Sequence, residues 1–154
     1  MKVIAILQGL LTPTIGVIAV YIAWQQWQGN KLRLKMDRYE RRLRVYQDVV
    51  KMLKIGSNGN PEWSEIIDFS AQTAEGDFLF EPEIREYLND IVTRATALNT
   101  AKFEFRHINS PGPLPANYDH NRIVEEIGTQ QKWFVEQIQN SLVKAKFRKY
   151  LNIS

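Results

Sequence analysis

The stretch KLRLKMDRYERRLRVYQDVVKML, Lys31–Leu53, decides the fold, because its apolar residues recur at alternating spacings of four and three. This a/d pattern is typical of a helix that packs lengthwise along another helix. It predicts an amphipathic helix with coiled-coil packing inside a helical bundle. We call the seven apolar residues the bundle seam: Leu32, Met36, Tyr39, Leu43, Tyr46, Val50 and Leu53.

The same stretch begins with a dense positive charge that admits three interpretations: a nucleic-acid arm, a membrane-surface segment or a bundle helix. Residues 31–44 hold seven basic and two acidic side chains, a local charge of +5 in a chain of net charge +3. Residues 62–90, in contrast, hold nine acids and one base. A nucleic-acid binder does not normally carry such an acidic block, so no nucleic-acid partner is expected.

An apolar stretch precedes the basic one. VIAILQGLLTPTIGVIAVYIAW, Val3–Trp24, has no acidic or basic side chain. As a helix it is about 33 Å long at about 1.5 Å per residue, enough for a hydrocarbon core of about 30 Å. A buried helix needs a larger core than this chain can form, and a cleaved signal peptide needs small residues at its end. We therefore predict a transmembrane helix within residues 1–28.

Aromatic and basic residues follow in the order expected at a membrane surface. Because positive charge stays on the cytoplasmic side, we expect the N-terminus outside and the rest of the chain in the cytoplasm. The predicted interfacial anchors are Tyr21, Trp24 and Trp27. The predicted contacts to lipid headgroups are Lys31, Arg33, Lys35 and Arg38.

One face of the predicted membrane helix carries small residues at spacings of 4, 3, 4, 3 and 4. Such residues let two membrane helices approach closely, which predicts a transmembrane helix of another membrane protein, or of a second copy, as partner. Chance remains an alternative in a helix rich in alanine and glycine. The face consists of Ala5, Gly9, Thr12, Gly16, Ala19 and Ala23.

The remaining sequence predicts helices only. We expect Asn60 to cap a short helix that begins at Pro61, and a heptad pattern predicts a long helix near Glu83–His107. After the loop NSPGPLPANYDH, a last helix is expected from Asn121 to about Leu151. The predicted fold class is all-α, with one N-terminal transmembrane helix leading into an antiparallel cytoplasmic helical bundle over residues 29–154.

The order of these features resembles a family of small bacterial membrane proteins with one N-terminal transmembrane helix and a helical cytoplasmic part. The matching stretches are LTPTIGVIAVYIAWQQW, KLRLKMDRYERRLRVYQDVVKML, FLFEPEIREYLNDIVTRATAL, QKWFVEQ and KFRKYL. Glu40 and Leu43 depart from the Asp and Phe expected there. The resemblance implies the bacterial inner membrane as location and brings no catalytic residue or cofactor.

Residues that could carry chemistry are few. Cysteine is absent, which excludes disulfides and thiolate sites, and the only histidines are His107 and His120. Asp119 and His120 form a possible acid/base pair, but this position is more simply a helix cap. We therefore expect no catalytic residue, no metal, no cofactor and no enzymatic activity.

Two functions remain open. The first is a non-catalytic, membrane-anchored accessory or scaffold subunit that packs against a larger membrane protein assembly. The second is a self-associating membrane effector, of toxin or defence type, that acts on the bilayer.

Overall fold

The computed structural model describes the backbone of residues 2–107 and 119–152, and the side chains within these ranges from residue 15 onward. These residues form helices and no strand, so the chain is all-α as predicted. Of the predicted loop over residues 109–120, residues 109–118 lie outside the described part. The helices are α1 (Lys2–Ser57), α2 (Trp63–Thr73), α3 (Gly76–Leu79), α4 (Pro82–His107), α5 (His120–Gln139) and α6 (Leu142–Phe147).

The chain divides into two compact units, residues 1–38 and residues 39–154. In the first unit α1 passes through Gly29 and Asn30 without a break. Within the part of the chain that is described, no helix is long and apolar enough to cross a membrane. The side chains of residues 3–14, the first half of the predicted transmembrane segment, lie outside that part.

The second unit is a helical bundle around one apolar core. The second half of α1 and helices α2, α4, α5 and α6 all contribute buried side chains, because each presents apolar residues at helical spacing. The largest fully buried side chains are Phe134, Phe147, Met52, Leu53, Ile84, Ile91, Leu98 and Ile123.

The buried line of α1 differs from the predicted bundle seam. Its centre is formed by Val45, Val49, Met52 and Gly56, at spacings of 4, 3 and 4. Two helices packed as a simple pair would bury only the a/d residues. Helix α1 instead contacts both α5, at Phe134, and α6, at Phe147, so its buried face is wider than the a/d seam and rotated relative to it. Of the seam, Leu53 is fully buried, Tyr39, Leu43, Tyr46 and Val50 are half-buried, and Leu32 and Met36 are exposed.

The N-termini of α2 and α5 test two predicted caps. Helix α2 begins only after Glu62, whose N–H donates to the Glu65 carboxylate at 2.9 Å, so the predicted start at Pro61 is wrong. The physical reason is tertiary, because the Pro61 carbonyl accepts a hydrogen bond from Asn99 Nδ2 at 2.7 Å and is thereby tied to α4. Asp119 caps α5 as predicted, since its Oδ1 accepts from the backbone N–H of Arg122 at 3.1 Å.

The prediction of one continuous last helix is wrong. Helix α5 ends at Gln139, and Ser141 takes the left-handed conformation (φ 53°) before α6 begins. The break places Phe147 and Tyr150 against Phe80, with ring centroids 5.3 and 5.1 Å apart. Burial of these aromatic rings offsets the local backbone strain.

Candidate functional site

The most exposed apolar surface of the described chain lies on α1 in the first unit. Its large apolar side chains between residues 15 and 27 are each 48–71% exposed. Exposed apolar residues scattered singly are ordinary, but a contiguous run of this length marks an interaction surface. The run consists of Ile15, Val17, Ile18, Val20, Tyr21, Ile22, Trp24 and Trp27.

Apolar side chains in this run surround the helix on every side. Successive residues of an α-helix point about 100° apart, so Val20, Tyr21, Ile22 and Ala23 together encircle it. None of them carries a charge, and all are exposed. A helix that is apolar all round needs apolar surroundings on all sides, which a single flat protein surface does not provide.

The three predicted interfacial anchors lie where the apolar run meets polar residues. The rings of Tyr21 and Trp24 are 6.4 Å apart between centroids, and Gln25 Nε2 donates to the Tyr21 hydroxyl at 3.2 Å. The Lys31 ammonium group lies over the Trp27 ring, 3.4 Å from its centroid. Tyr21 and Trp27 therefore each combine exposed apolar surface with a contact to a polar or charged group.

The predicted headgroup residues lie on two faces of the same helix. Lys31, Lys35 and Arg38 follow spacings of four and three and share one face, which continues the face of Trp24 and Trp27. Arg33 is two residues from Lys31 and points about 200° away. All four basic side chains are exposed, so positive charge extends around much of the helix on the C-terminal side of the aromatic residues.

Only half of the predicted small-residue face has described side chains. Gly16, Ala19 and Ala23 are exposed, and no atom lies within 4 Å of the position that a Cβ on Gly16 would occupy. No described part of the chain therefore fills the space beside Gly16. The other members of the face, Ala5, Gly9 and Thr12, lie outside the described side chains.

The bundle has a groove between α4, α5 and α6, but its aromatic residues already have partners within the chain. The buried hydroxyl of Tyr87 donates to Gln137 Oε1 at 3.0 Å, and burial raises the pKa of Tyr87 far above its ordinary value. The guanidinium of Arg94 lies 4.6 Å from the centroid of the Trp133 ring. No group of three or more metal-ligating side chains occurs among the described residues.

Two residues gain a role that the sequence pattern did not indicate. Arg42, one of seven charges in a basic run, donates from Nε to the Leu79 carbonyl at 3.1 Å and from NH1 to the Tyr150 carbonyl at 3.5 Å. Phe78 is 92% exposed, and the periodicity of the sequence did not indicate this. For Arg42 no sequence signal exists, because its partners are distant carbonyls.

Comparison of the chain with protein-family models, with curated proteins and with solved structures finds no match. The resemblance drawn from the sequence therefore stays a prediction.

Proposed function

We propose that this chain is a non-catalytic, membrane-anchored accessory or scaffold subunit that packs against a larger membrane protein assembly. The observation that carries the proposal is the exposed run Ile15–Trp27, whose apolar side chains surround α1. Full removal of one Ile or Val side chain from water stabilises by about 1.5–3 kcal/mol, so the run strongly favours an apolar environment.

A lipid bilayer suits this run better than a soluble partner does. The uncharged sequence extends upstream to Val3, and Val3–Trp24 is 22 residues long, about the length that spans a hydrocarbon core. Aromatic residues and then basic residues follow in the order of the membrane interface and the headgroups. A soluble partner would have to enclose the helix on all sides to give the same protection from water.

The charge distribution supports one orientation, in a bacterial inner membrane as the resemblance implies. Seven basic residues follow the apolar run within residues 31–44, whereas Lys2 alone precedes it. Positive charge is retained on the cytoplasmic side, so the bundle lies in the cytoplasm and the N-terminus outside. A reporter fused after Ser154 is expected to be active only if it works in the cytoplasm. Activity of a periplasm-specific reporter at this position would contradict the orientation.

The small-residue face supports a helical partner within the membrane. The side of α1 at Gly16 offers close approach to a neighbouring backbone, and helices in lipid associate through such contacts. The spacing places Gly9 on the same face. We propose that this face contacts a transmembrane helix of a different protein, while a second copy in its place would favour the self-associating effector.

Co-purification of the full chain in mild detergent tests the proposal. The wild-type chain is expected to elute with unrelated subunits at a fixed ratio, and the Gly9→Leu/Gly16→Leu variant is expected to elute without them. Ile18→Phe/Ile22→Phe adds bulk to the opposite side of the helix, about 200° and 240° from Gly16, and is the matched control, which should keep the partners. A homo-oligomer as the sole product would support the effector, and retention of the partners by the double leucine variant would exclude this face.

A further inference from the structure

Helices α2 and α3 form one almost continuous outer layer of the bundle. Ala74 and Glu75, which join them, both have right-handed helical dihedral angles, and the backbone N–H of Phe78 donates to the Glu75 carbonyl at 3.1 Å. The layer buries Ile66, Phe69 and Thr73 against the core. The inner face of this layer therefore packs against the core, whereas its outer face is exposed.

The outer face also carries apolar residues at helical spacing. Trp63 is 55% exposed, Ile67 is 52% exposed and Phe78 is 92% exposed. Between the large residues lie small ones, so the surface is high at its two ends and low in its middle. We call it the outer stripe, and its members, at spacings of 4, 3, 4 and 4, are Trp63, Ile67, Ser70, Ala74 and Phe78.

The surroundings of the outer stripe are acidic. Residues 55–84 contain seven acids and no Lys or Arg. Four of these acids form ion pairs with bases outside this range: Glu75 with Arg41, Asp77 with Arg85, Glu81 with Lys149 and Glu83 with Lys146, at 3.7, 3.3, 2.7 and 3.5 Å. Glu62 and Asp68 are exposed, and neither forms an ion pair with any residue in the described ranges.

We propose that the outer stripe binds a basic amphipathic helix of another protein. The inference rests on the proposed function, since that protein would belong to the same assembly. An amphipathic helix lays its apolar residues into such a surface, here into the low middle between Ile67 and Phe78, which are about three helical turns apart. Its basic flanks would meet the exposed carboxylates of Glu62 and Asp68.

The charge makes two other occupants less favourable. A second copy that presents the same stripe would bring acidic residues against acidic residues, which is unfavourable. An anionic membrane surface would repel the stripe for the same reason. The basic helix is the occupant for which both the apolar shape and the charge are complementary.

The test uses the full chain in nanodiscs of phosphatidylcholine, a lipid without net charge. The probe is a fluorescently labelled 18-residue peptide with Leu at the a and d positions of each heptad and Lys at the other positions. Its fluorescence anisotropy is measured as discs with or without the protein are added. A peptide with Glu at every Lys position is the charge control. We expect saturable binding of the Lys peptide to the wild-type chain above the level of empty discs, and weaker binding at high salt.

The decisive comparison is between two double variants. Trp63→Ala/Phe78→Ala removes the two ends of the outer stripe and should weaken binding at least about tenfold, as truncation of interface anchors does. Val124→Ala/Leu142→Ala removes exposed apolar side chains of α5 and α6 and should leave the affinity unchanged. All four residues are exposed, so both variants should keep the wild-type circular dichroism and melting temperature.

Three results would overturn the inference. The first is equal affinity of the two double variants for the Lys peptide, and the second is equal binding of the Lys and Glu peptides to the wild-type chain. The third is sedimentation of the wild-type chain as a dimer that Trp63→Ala/Phe78→Ala dissociates, which would identify a second copy as the occupant. The proposed function fails separately, through co-purification of the Gly9→Leu/Gly16→Leu variant. The peptide-binding test of the outer stripe and the co-purification test of the membrane helix can therefore fail independently of each other.

Discussion

Gly56 of α1 lies directly against the ring of Phe134 of α5. A Cβ atom on Gly56 would come within 2.5 Å of the ring atoms Cγ and Cδ1 and within 2.7 Å of Cδ2. The Phe134 side chain is fully buried, so its ring has little room to move. Glycine therefore permits the close approach of the two helices.

Gly56→Ala is predicted to destabilise the chain by about 1–3 kcal/mol, because the added methyl group overpacks the core at Phe134. Gly128→Ala is the matched control, since nothing lies within 4 Å of a Cβ there and Gly128 is in the exposed part of α5. That change should instead stabilise by about 0.5–1 kcal/mol through helix propensity. Thermal unfolding of both variants, followed by circular dichroism in mild detergent, measures the difference. Equal melting temperatures would contradict the packing argument.

Ser141→Gly is predicted to raise stability by about 1 kcal/mol, because a left-handed conformation costs non-glycine residues roughly 1–2 kcal/mol. The neighbouring Asn140→Gly is the control. Asn140 has a φ of −83°, so glycine relieves no strain there and adds only flexibility to the unfolded chain. The two variants should therefore shift the unfolding midpoint in opposite directions. A shift of both in the same direction would show that the break at Ser141 is unstrained.

Arg42→Lys is predicted to lower stability by about 1–2 kcal/mol, although it keeps the charge. Lysine lacks the planar guanidinium that donates to the Leu79 and Tyr150 carbonyls together, and at least one part-buried acceptor would lose its donor. Arg44→Lys, at an exposed position of the same helix, should change stability by less than about 0.5 kcal/mol. Denaturant unfolding distinguishes the two. An equal effect would mean that Arg42 contributes only its charge.

The ion pair between Glu81 and Lys149 predicts a small dependence of stability on pH. Lys149 Nζ donates to Glu81 Oε2 at 2.7 Å, and this hydrogen bond lowers the pKa of Glu81. Because the folded-state pKa is below the unfolded one, the pair stabilises above the unfolded pKa and the contribution is lost as the pH falls through the folded pKa. Both side chains are exposed, so the effect is modest.

Melting temperatures measured between pH 7 and pH 3 test this linkage. Glu81→Gln should flatten the acid side of the profile, because the amide does not titrate. Glu86→Gln, at an exposed position of α4, serves as the control and should follow the wild-type curve. Identical slopes for wild type and Glu81→Gln would show that the pair is absent in solution.

The helical class of the protein and several of its helix ends follow from local sequence. Apolar residues at spacings of three and four predicted α1, α4 and α5, because an amphipathic stripe is a property of a single helix. The cap at Asp119 was predictable for the same reason, as its acceptor and the N–H of Arg122 are three residues apart. The continuous passage of α1 through Gly29 and Asn30 needs only that neither residue breaks a helix that is otherwise strongly favoured.

The break between α5 and α6 is a feature that local sequence predicts less well. Asn140 and Ser141 are residue types that favour turns, but the helical spacing of apolar residues on both sides of them predicted one continuous helix. The break forms because Phe147 and Tyr150 reach Phe80, a residue about 70 positions away along the chain. Burial of those rings compensates a strain that no local pattern reports.

By itself, the sequence determined which segments are helical, where the chain is uncharged and where its charges concentrate. Those properties depend on neighbours within a few residues, and periodicity and composition record them directly. Only the tertiary structure decided that Val45 rather than Leu43 lies at the centre of the buried line, that Arg42 joins two carbonyls and that Phe78 faces solvent. These outcomes depend on which distant elements cover each face of a helix, and a repeat of three and four residues is compatible with more than one such arrangement.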